Sequence, residues 1–206
     1  MSKNQLHGKE YENHIKLAFP GVSDEIVSSL SKWDIDAKYD YKNLPTSIKS
    51  SAAKGSIELS DARRFWGINE PFRLILGIYD QINNVKYFNS LHEFEITHDE
   101  HKILLGNITY DEISKFHESL KEFELGDHDK ARKYAHDINK NNFKKRSVLN
   151  LNPKIDSKTQ RRLQCSINFS DLINNVKNYK EFKNNDTYRN ICINFILRSS
   201  KREFSK

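Results

Sequence analysis

Cysteine is scarce in this chain: Cys165 and Cys192 stand far apart and without C-x-x-C spacing. That argues against a disulfide framework and a cysteine zinc site. Long apolar runs are missing as well. No stretch approaches the roughly 20 residues that cross a bilayer, and the opening MSKNQLHGKEYENH lacks the apolar core of a signal peptide. A cytoplasmic protein with no membrane partner is expected. Glycine and proline are also few, seven and four, and there is no Gly-rich phosphate loop, G-x-S-x-G elbow or internal repeat. Chemistry through a covalent nucleophile therefore has no motif to carry it.

What is present describes a folded, polar-surfaced protein. Hydrophobic residues make up 36% and charged residues 30% of 206, too much apolar content for disorder and enough length for one well-cored domain. A single domain over residues 1–206 is expected. The net charge is +6, and the basic residues are concentrated after residue 126, so residues 1–126 are net acidic and 127–206 basic. This asymmetry points to an acidic core part joined to a nucleic-acid-contacting part; a lysine-rich solvated surface is the plainer explanation.

The stretch with the most chemistry is Trp33 to Ser51, WDIDAKYDYKNLPTSIKSS. It reads as two short strands joined by a polar turn at Tyr41-Lys42. Asp34, Asp36 and Asp40 alternate with Ile35, Ala37 and Tyr39, so period-2 geometry puts the carboxylates on one face. On the second strand Ser47, Lys49 and Ser51 share a face. The expected register sets Asp34 opposite Lys49 and Asp36 opposite Ser47, placing a lysine among carboxylates. Carboxylates hold a hard divalent cation, which polarises a phosphate and acidifies a water, while the ammonium stabilises charge on phosphorus. A solvent-facing hairpin of alternating charges would give the same pattern.

An aspartate followed at hairpin distance by x-Ile-Lys resembles the PD-(D/E)XK nucleases, with Ser47-Ile48-Lys49 in place of the D/E-X-K triplet. Asp40, with six residues between it and Ser47, resembles the short spacing of the mismatch-repair nicking endonuclease and its restriction relatives; Asp34 and Asp36 suit a longer hairpin. Gly8-x-x-Tyr11-Glu12 resembles the first helix of the same family, whose glutamate often reaches the metal site, although Glu12 could equally pair with Lys16 at i+4. The resemblance covers roughly residues 8–65. It implies Mg²⁺ held by Asp34, Asp36, Asp40 and, in place of the missing triplet acid at Ser47, Glu58 or Glu12, with Lys49 positioning water. A hydroxyl is a weaker ligand for a hard cation than a carboxylate, so Ser47 bears on activity rather than fold.

Along the rest of the chain, Asn4 to Phe19 carries a helical apolar stripe stopped by Pro20-Gly21, and Ser23 caps a second helix through Trp33. Ser56 to Leu59 reads as a strand, followed by a short helix capped by Ser60 or Asp61 and ended at Gly67, which sets Arg63 and Arg64 near the catalytic strands. Phe72 to Ile82 is a central strand turning at Asn83-Asn84 into its partner, Val85 to Ile96. His92, His98 and His101 read as surface histidines and Ile103 to Leu105 as a strand. Thr109-x-x-Glu112 is a capping box before a helix to Phe123. Another helix runs from Asp127 to Ile138, a basic Asn-rich connection from Asn139 to Arg146, and a last helix from Asp171 to Phe182. Within Ser147 to Ile173, two strands surround a loop. There Arg161, Arg162 and Gln164 are candidate base readers and Lys154 and Lys158 candidate phosphate contacts.

These readings add up to an α/β fold, a mixed central sheet flanked by helices. The resemblance implies a Mg²⁺-dependent, sequence-specific endonuclease of double-stranded DNA, type II restriction-like, for which a twofold homodimer would match symmetric cutting. A non-catalytic DNA-binding protein on a decayed nuclease scaffold and an RNA-processing protein are the alternatives.

Overall fold

The most apolar run of the sequence, FRLILGIYDQI, forms strand β3 (Phe72–Ile82), whose first six residues are all buried. The computed structural model describes residues 3–22, 32–83, 85–183 and 185–198. The helix expected from Ser23 to Trp33 falls mostly outside the described residues. Backbone contacts divide the chain into two compact units. One is Met1–Gly55, Pro71–Ile96 and Asn178–Lys206, and the other is Ser56–Glu70 and Thr97–Lys177. Residue 126, where the charge balance changes, lies inside the second.

In the first unit β3 turns at Asn83, φ +56°, and returns as β4 (Val85–Ile96), paired antiparallel from Ile82–Val85 to Phe72–Ile96 as the sequence predicts. On its other edge β3 pairs in parallel with β1 (Thr46–Ala52), Ile48 opposite Ile75. The far edge of β4 holds two strands end to end, β7 (Asn178–Lys183) against Ser90–Glu95 and β10 (Phe195–Arg198) against Val85–Phe88. Helix α1 (Lys3–Lys16) lays Tyr11 and Ile15 into a cluster with Ile35, Ile48, Ile75, Phe88 and Leu91. The Tyr11 ring stacks on Phe88 at 4.2 Å. Gly77 permits this approach, since a Cβ there would overlap the Tyr11 ring.

The second unit is built on an antiparallel sheet in which β6 (Arg161–Ile167) is central between β2 (Ile57–Asp61) and β5 (Asn150–Ile155). Asp61 caps α2 (Ala62–Trp66) by accepting from the Arg64 N–H at 3.2 Å, and Gly67 ends it. Helices α3 (His98–Leu105) and α4 (Tyr110–Lys121) each open with a capping box, Thr97/Glu100 and Thr109/Glu112, which satisfies donors that a helix start leaves open. Helix α5 (His128–Ile138) buries Ala131 and Ala135 and runs into a π turn, Asn139–Phe143, whose Phe143 stacks on Phe116. Then α6 (Phe169–Asn175) follows β6. The whole is an α/β fold with a central sheet of parallel and antiparallel neighbours flanked by helices, as the sequence implies.

Several local readings are corrected. Residues 36–41 are not a strand: a 3-10 turn, Ala37–Tyr39, replaces it, and the expected hairpin shrinks to one antiparallel bridge, Ile35–Thr46. Ile103 to Leu105 is helical, because Thr97-x-x-Glu100 starts α3 and carries it through Leu105. His101 is therefore a buried helix residue and His92 a buried strand residue, neither at the surface. The helix expected over Asp171 to Phe182 stops at Asn175, and Asn178 onward joins the first sheet as β7. Tyr179 and Phe182 suit a strand, and pairing with β4 decides the conformation of that second half.

Candidate functional site

Ile35 is buried in the first unit's core, and its backbone exchanges hydrogen bonds with Thr46, 3.0 Å out and 2.9 Å back. That anchor sets the side chain of the preceding residue beside the start of β1. Asp34 Oδ2 accepts from the Ile48 N–H at 2.6 Å, from Lys49 Nζ at 3.1 Å and from Ser47 Oγ at 3.2 Å. Lys49 Nζ also donates to the Ile48 carbonyl at 2.9 Å. Strand alternation explains why Ser47 and Lys49 share this face: Ile48 points to the core under α1, so its neighbours point away from it. The Asp34 and Lys49 side chains are each about a quarter exposed, 25% and 24%. All three donors converge on the one carboxylate oxygen, Oδ2.

The remaining candidate carboxylates have other partners. Asp36 caps the 3-10 turn by accepting from the Lys38 N–H at 3.0 Å. Glu12 pairs with Lys16 one helical turn on, and α1 packs on the Ile48 side of the sheet, away from Ser47 and Lys49. Glu58 lies in the second unit, where it meets Lys154 at 3.2 Å. Asp40 is buried, bonded to Arg73 and, at 2.7 Å, to Arg189; it also accepts from the Lys42 N–H at 3.1 Å. Burial alone would raise the Asp40 carboxyl, but the hydrogen bonds from Arg73 and Arg189 outweigh it and hold the group below the usual carboxylate range. The structure thus joins Asp34 to Ser47 and Lys49, and commits Asp36, Asp40, Glu12 and Glu58 elsewhere.

Arg73 was not a sequence candidate, yet it organises the polar interior of this unit. It is fully buried on β3, and Glu93 and Glu95 lie two apart on β4 with Glu95 directly opposite it. Its Nε is 3.3 Å from Glu93 and its Nη2 is 3.2 Å from Glu95, while the Tyr188 hydroxyl donates to Glu93. Lys42 also reaches Glu95, at 2.7 Å. A signal was available: an arginine inside F-R-L-I-L must be paired if the run is buried, and the E-F-E of the partner strand supplies alternate acids.

In the second unit the two strands expected around a loop are present as the antiparallel pair β5 and β6. Lys154 stands opposite Arg162 and Asn152 opposite Gln164 on one face of β5 and β6. Arg162 and Lys158 are exposed and Gln164 is half-buried. Arg161 is on the other face and largely buried. Its guanidinium donates to the carbonyls of Asp156 at 2.7 Å, Gln160 at 3.0 Å and Glu124 at 3.0 Å, so it braces the loop between the strands. Arg63, expected near the catalytic strands, pairs with Glu118 at 2.7 Å.

Among the described residues no group of three or more His, Cys, Asp and Glu is placed to hold a metal ion. The oxygen donors gathered at Asp34 are one carboxylate, the Ser47 hydroxyl and the Ile48 carbonyl. That set suits Mg²⁺, which commonly takes one or two carboxylates, keeps several waters and fills its shell with substrate phosphate oxygens. Compared with protein-family models, with curated proteins and with solved structures, the chain matches none.

Proposed function

We propose that the protein is a Mg²⁺-dependent endonuclease of duplex DNA, resembling the type II restriction enzymes of the PD-(D/E)XK group, with Asp34, Ser47 and Lys49 as its reacting residues. One observation carries the reading: a partly exposed carboxylate, fixed by a backbone N–H at 2.6 Å, touches a lysine ammonium at 3.1 Å on the x-Ile-Lys strand. Asp34 is the residue that would hold the cation, with Ser47 Oγ beside it. When bound, the cation would polarise the phosphate and lower the pKa of a water. Lys49 supplies a fixed positive charge where negative charge develops on phosphorus, an interaction made mainly in the transition state. The Ile48 N–H keeps Asp34 oriented. Lys154, Arg162, Gln164 and Lys158 form the duplex-contacting face in this reading, and a twofold dimer would serve symmetric cutting.

Ser47 favours a second reading, a DNA-binding protein without catalysis, because a hydroxyl stands where the family carries an acid. Supercoiled plasmid incubated with Mg²⁺ or with EDTA separates the two. The nuclease reading expects cutting only with Mg²⁺, and loss of at least about 100-fold in Lys49→Ala with duplex binding intact. Duplex binding by a wild type that does not cut would establish the second reading. Cutting by Lys49→Ala within about tenfold of wild type would remove this site from the reaction.

A further inference from the structure

Leu17 and Tyr41 are among the most exposed large apolar side chains of the described residues, at 67% and 71%, and both line one depression of about 660 Å³ in the first unit. Lys38, Tyr39, Arg189 and Asn190 complete the parts of its wall that bear on a ligand. The segment on one side reads Lys38-Tyr39-Asp40-Tyr41-Lys42, charged residues of both signs alternating with aromatic rings. Asp40 is wholly buried and bonded to Arg73 and Arg189, and Lys42 at the end of the segment pairs with Glu95.

The other side is a two-residue turn joining β8 (Thr187–Tyr188) to β9 (Ile191–Cys192). Its residues Arg189 and Asn190 both have positive φ, +47° and +72°, the geometry of a tight hairpin turn that favours Asn and Gly. An arginine there is a strained choice, and strain of this kind persists where the surroundings use it. The Arg189 guanidinium lies 4.2 Å from the Phe19 ring centre and 5.1 Å from that of Tyr41, and donates to Asp40 at 2.7 Å. It therefore braces Tyr41 from the turn side, while most of the Tyr41 surface faces solvent.

We infer that this depression binds one nucleotide unit, its base laid on Tyr41 and its phosphate drawn by Lys38. The volume falls in the range of about 300–1,000 Å³ typical of small-ligand pockets. Aromatic faces beside cations take any base by stacking, and an asparagine such as Asn190 offers a donor and an acceptor to a base edge. The unit could come from an unpaired nucleotide of a DNA strand or from a free nucleoside monophosphate. As a strand site it rests on the DNA reading above, though not on cleavage. Asp34 precedes Lys38 by four residues, so their Cα atoms are at most about 14 Å apart, and a strand held at Asp34 has a further nucleotide within reach.

The test uses the full chain in EDTA. Fluorescence anisotropy measures binding of a labelled oligothymidylate and of a labelled duplex, and calorimetry measures binding of thymidine monophosphate. Tyr41→Ala should weaken the oligothymidylate at least about tenfold and Tyr41→Phe no more than about twofold, whereas Tyr110→Ala, at an exposed tyrosine of the second unit, should change nothing. Lys38→Ala should reduce the salt slope by about 0.7, one single-strand phosphate contact. Monophosphate binding that is lost in Tyr41→Ala assigns the depression to free nucleotides; oligothymidylate binding alone assigns it to a strand. Equal oligothymidylate affinity for wild type and Tyr41→Ala overturns the inference. Duplex binding with neither oligothymidylate nor monophosphate bound overturns it and leaves the DNA reading standing, and binding of none of the three overturns both.

Discussion

Replacing Asp40 by Asn tests whether this aspartate is structural or belongs to the reacting site, because the two roles predict opposite patterns of damage. Its side chain is inaccessible to solvent and bonded to Arg73, itself inaccessible, and to Arg189. Breaking a buried pair from one side costs about 3–5 kcal/mol, since the remaining charge stays desolvated. Glu93 and Glu95 remain near Arg73 in the variant, so the lower end, about 3 kcal/mol, applies. With a urea dependence of about 2 kcal/mol per molar, the unfolding midpoint should fall by about 1.5 M. Asp34→Asn is the matched comparison: its pair with Lys49 is partly exposed and should contribute under about 1 kcal/mol. Acid should reveal the same difference. The Asp40 carboxyl is held below its ordinary value, so its contribution is complete above the unfolded carboxylate pKa of about 4 and is lost as pH falls through the lower folded value. In the variant that part of the acid dependence should disappear. An unchanged midpoint in Asp40→Asn together with lost Mg²⁺-dependent cutting would refute the structural assignment and return Asp40 to the metal site.

Gly77→Ala should destabilise by about 1–3 kcal/mol in urea, because the added methyl overlaps the Tyr11 ring; an unaltered midpoint would mean α1 does not pack as described. Burial lowers the pKa of His92, so its neutral form is the native one. Stability from this source is present above the unfolded value of about 6.5 and declines as pH drops toward the folded value, and urea titrations should show His92→Gln flattening that decline. Arg161→Ala should reduce stability, as three carbonyls each lose a hydrogen bond, whereas Arg162→Ala should leave the unfolding free energy within about 0.5 kcal/mol and reduce duplex affinity. The opposite allocation would make Arg161 the DNA contact.

Much of the fold follows from local pattern. The α1 stripe, whose helix ends at Lys16 ahead of the expected Pro20-Gly21 stop, the β3–β4 hairpin with a turn at Asn83, the Asp61 and Thr109 caps and the β5–β6 ribbon all rest on signals within a few residues. The Thr97-x-x-Glu100 box is equally local and outweighs the short apolar run Ile103 to Leu105 that reads as a strand. At the candidate site, the Asp34–Lys49 pair was legible because Asp34 and the x-Ile-Lys strand are close in sequence, but the Ile35–Thr46 bridge brings Ser47, expected opposite Asp36, to Asp34.

Local pattern could not decide between Asp34, Asp36 and Asp40. All three fit one alternating strand, and only the tertiary structure separates them. Arg73, 33 residues beyond Asp40, needs a carboxylate once β3 is buried; Asp40 supplies it, and a 3-10 turn then replaces the strand. The parallel pairing of β1 with β3 was likewise hidden, since parallel neighbours need a long crossover and residues 56–70 of that connection belong to the other unit. Sequence by itself determined the fold class, most elements and the Asp34–Lys49 pair, where the interacting groups are near in the chain. Which charges are buried, which strands lie side by side and which cations surround Tyr41 depend on contacts between distant segments, and those only the folded chain decides.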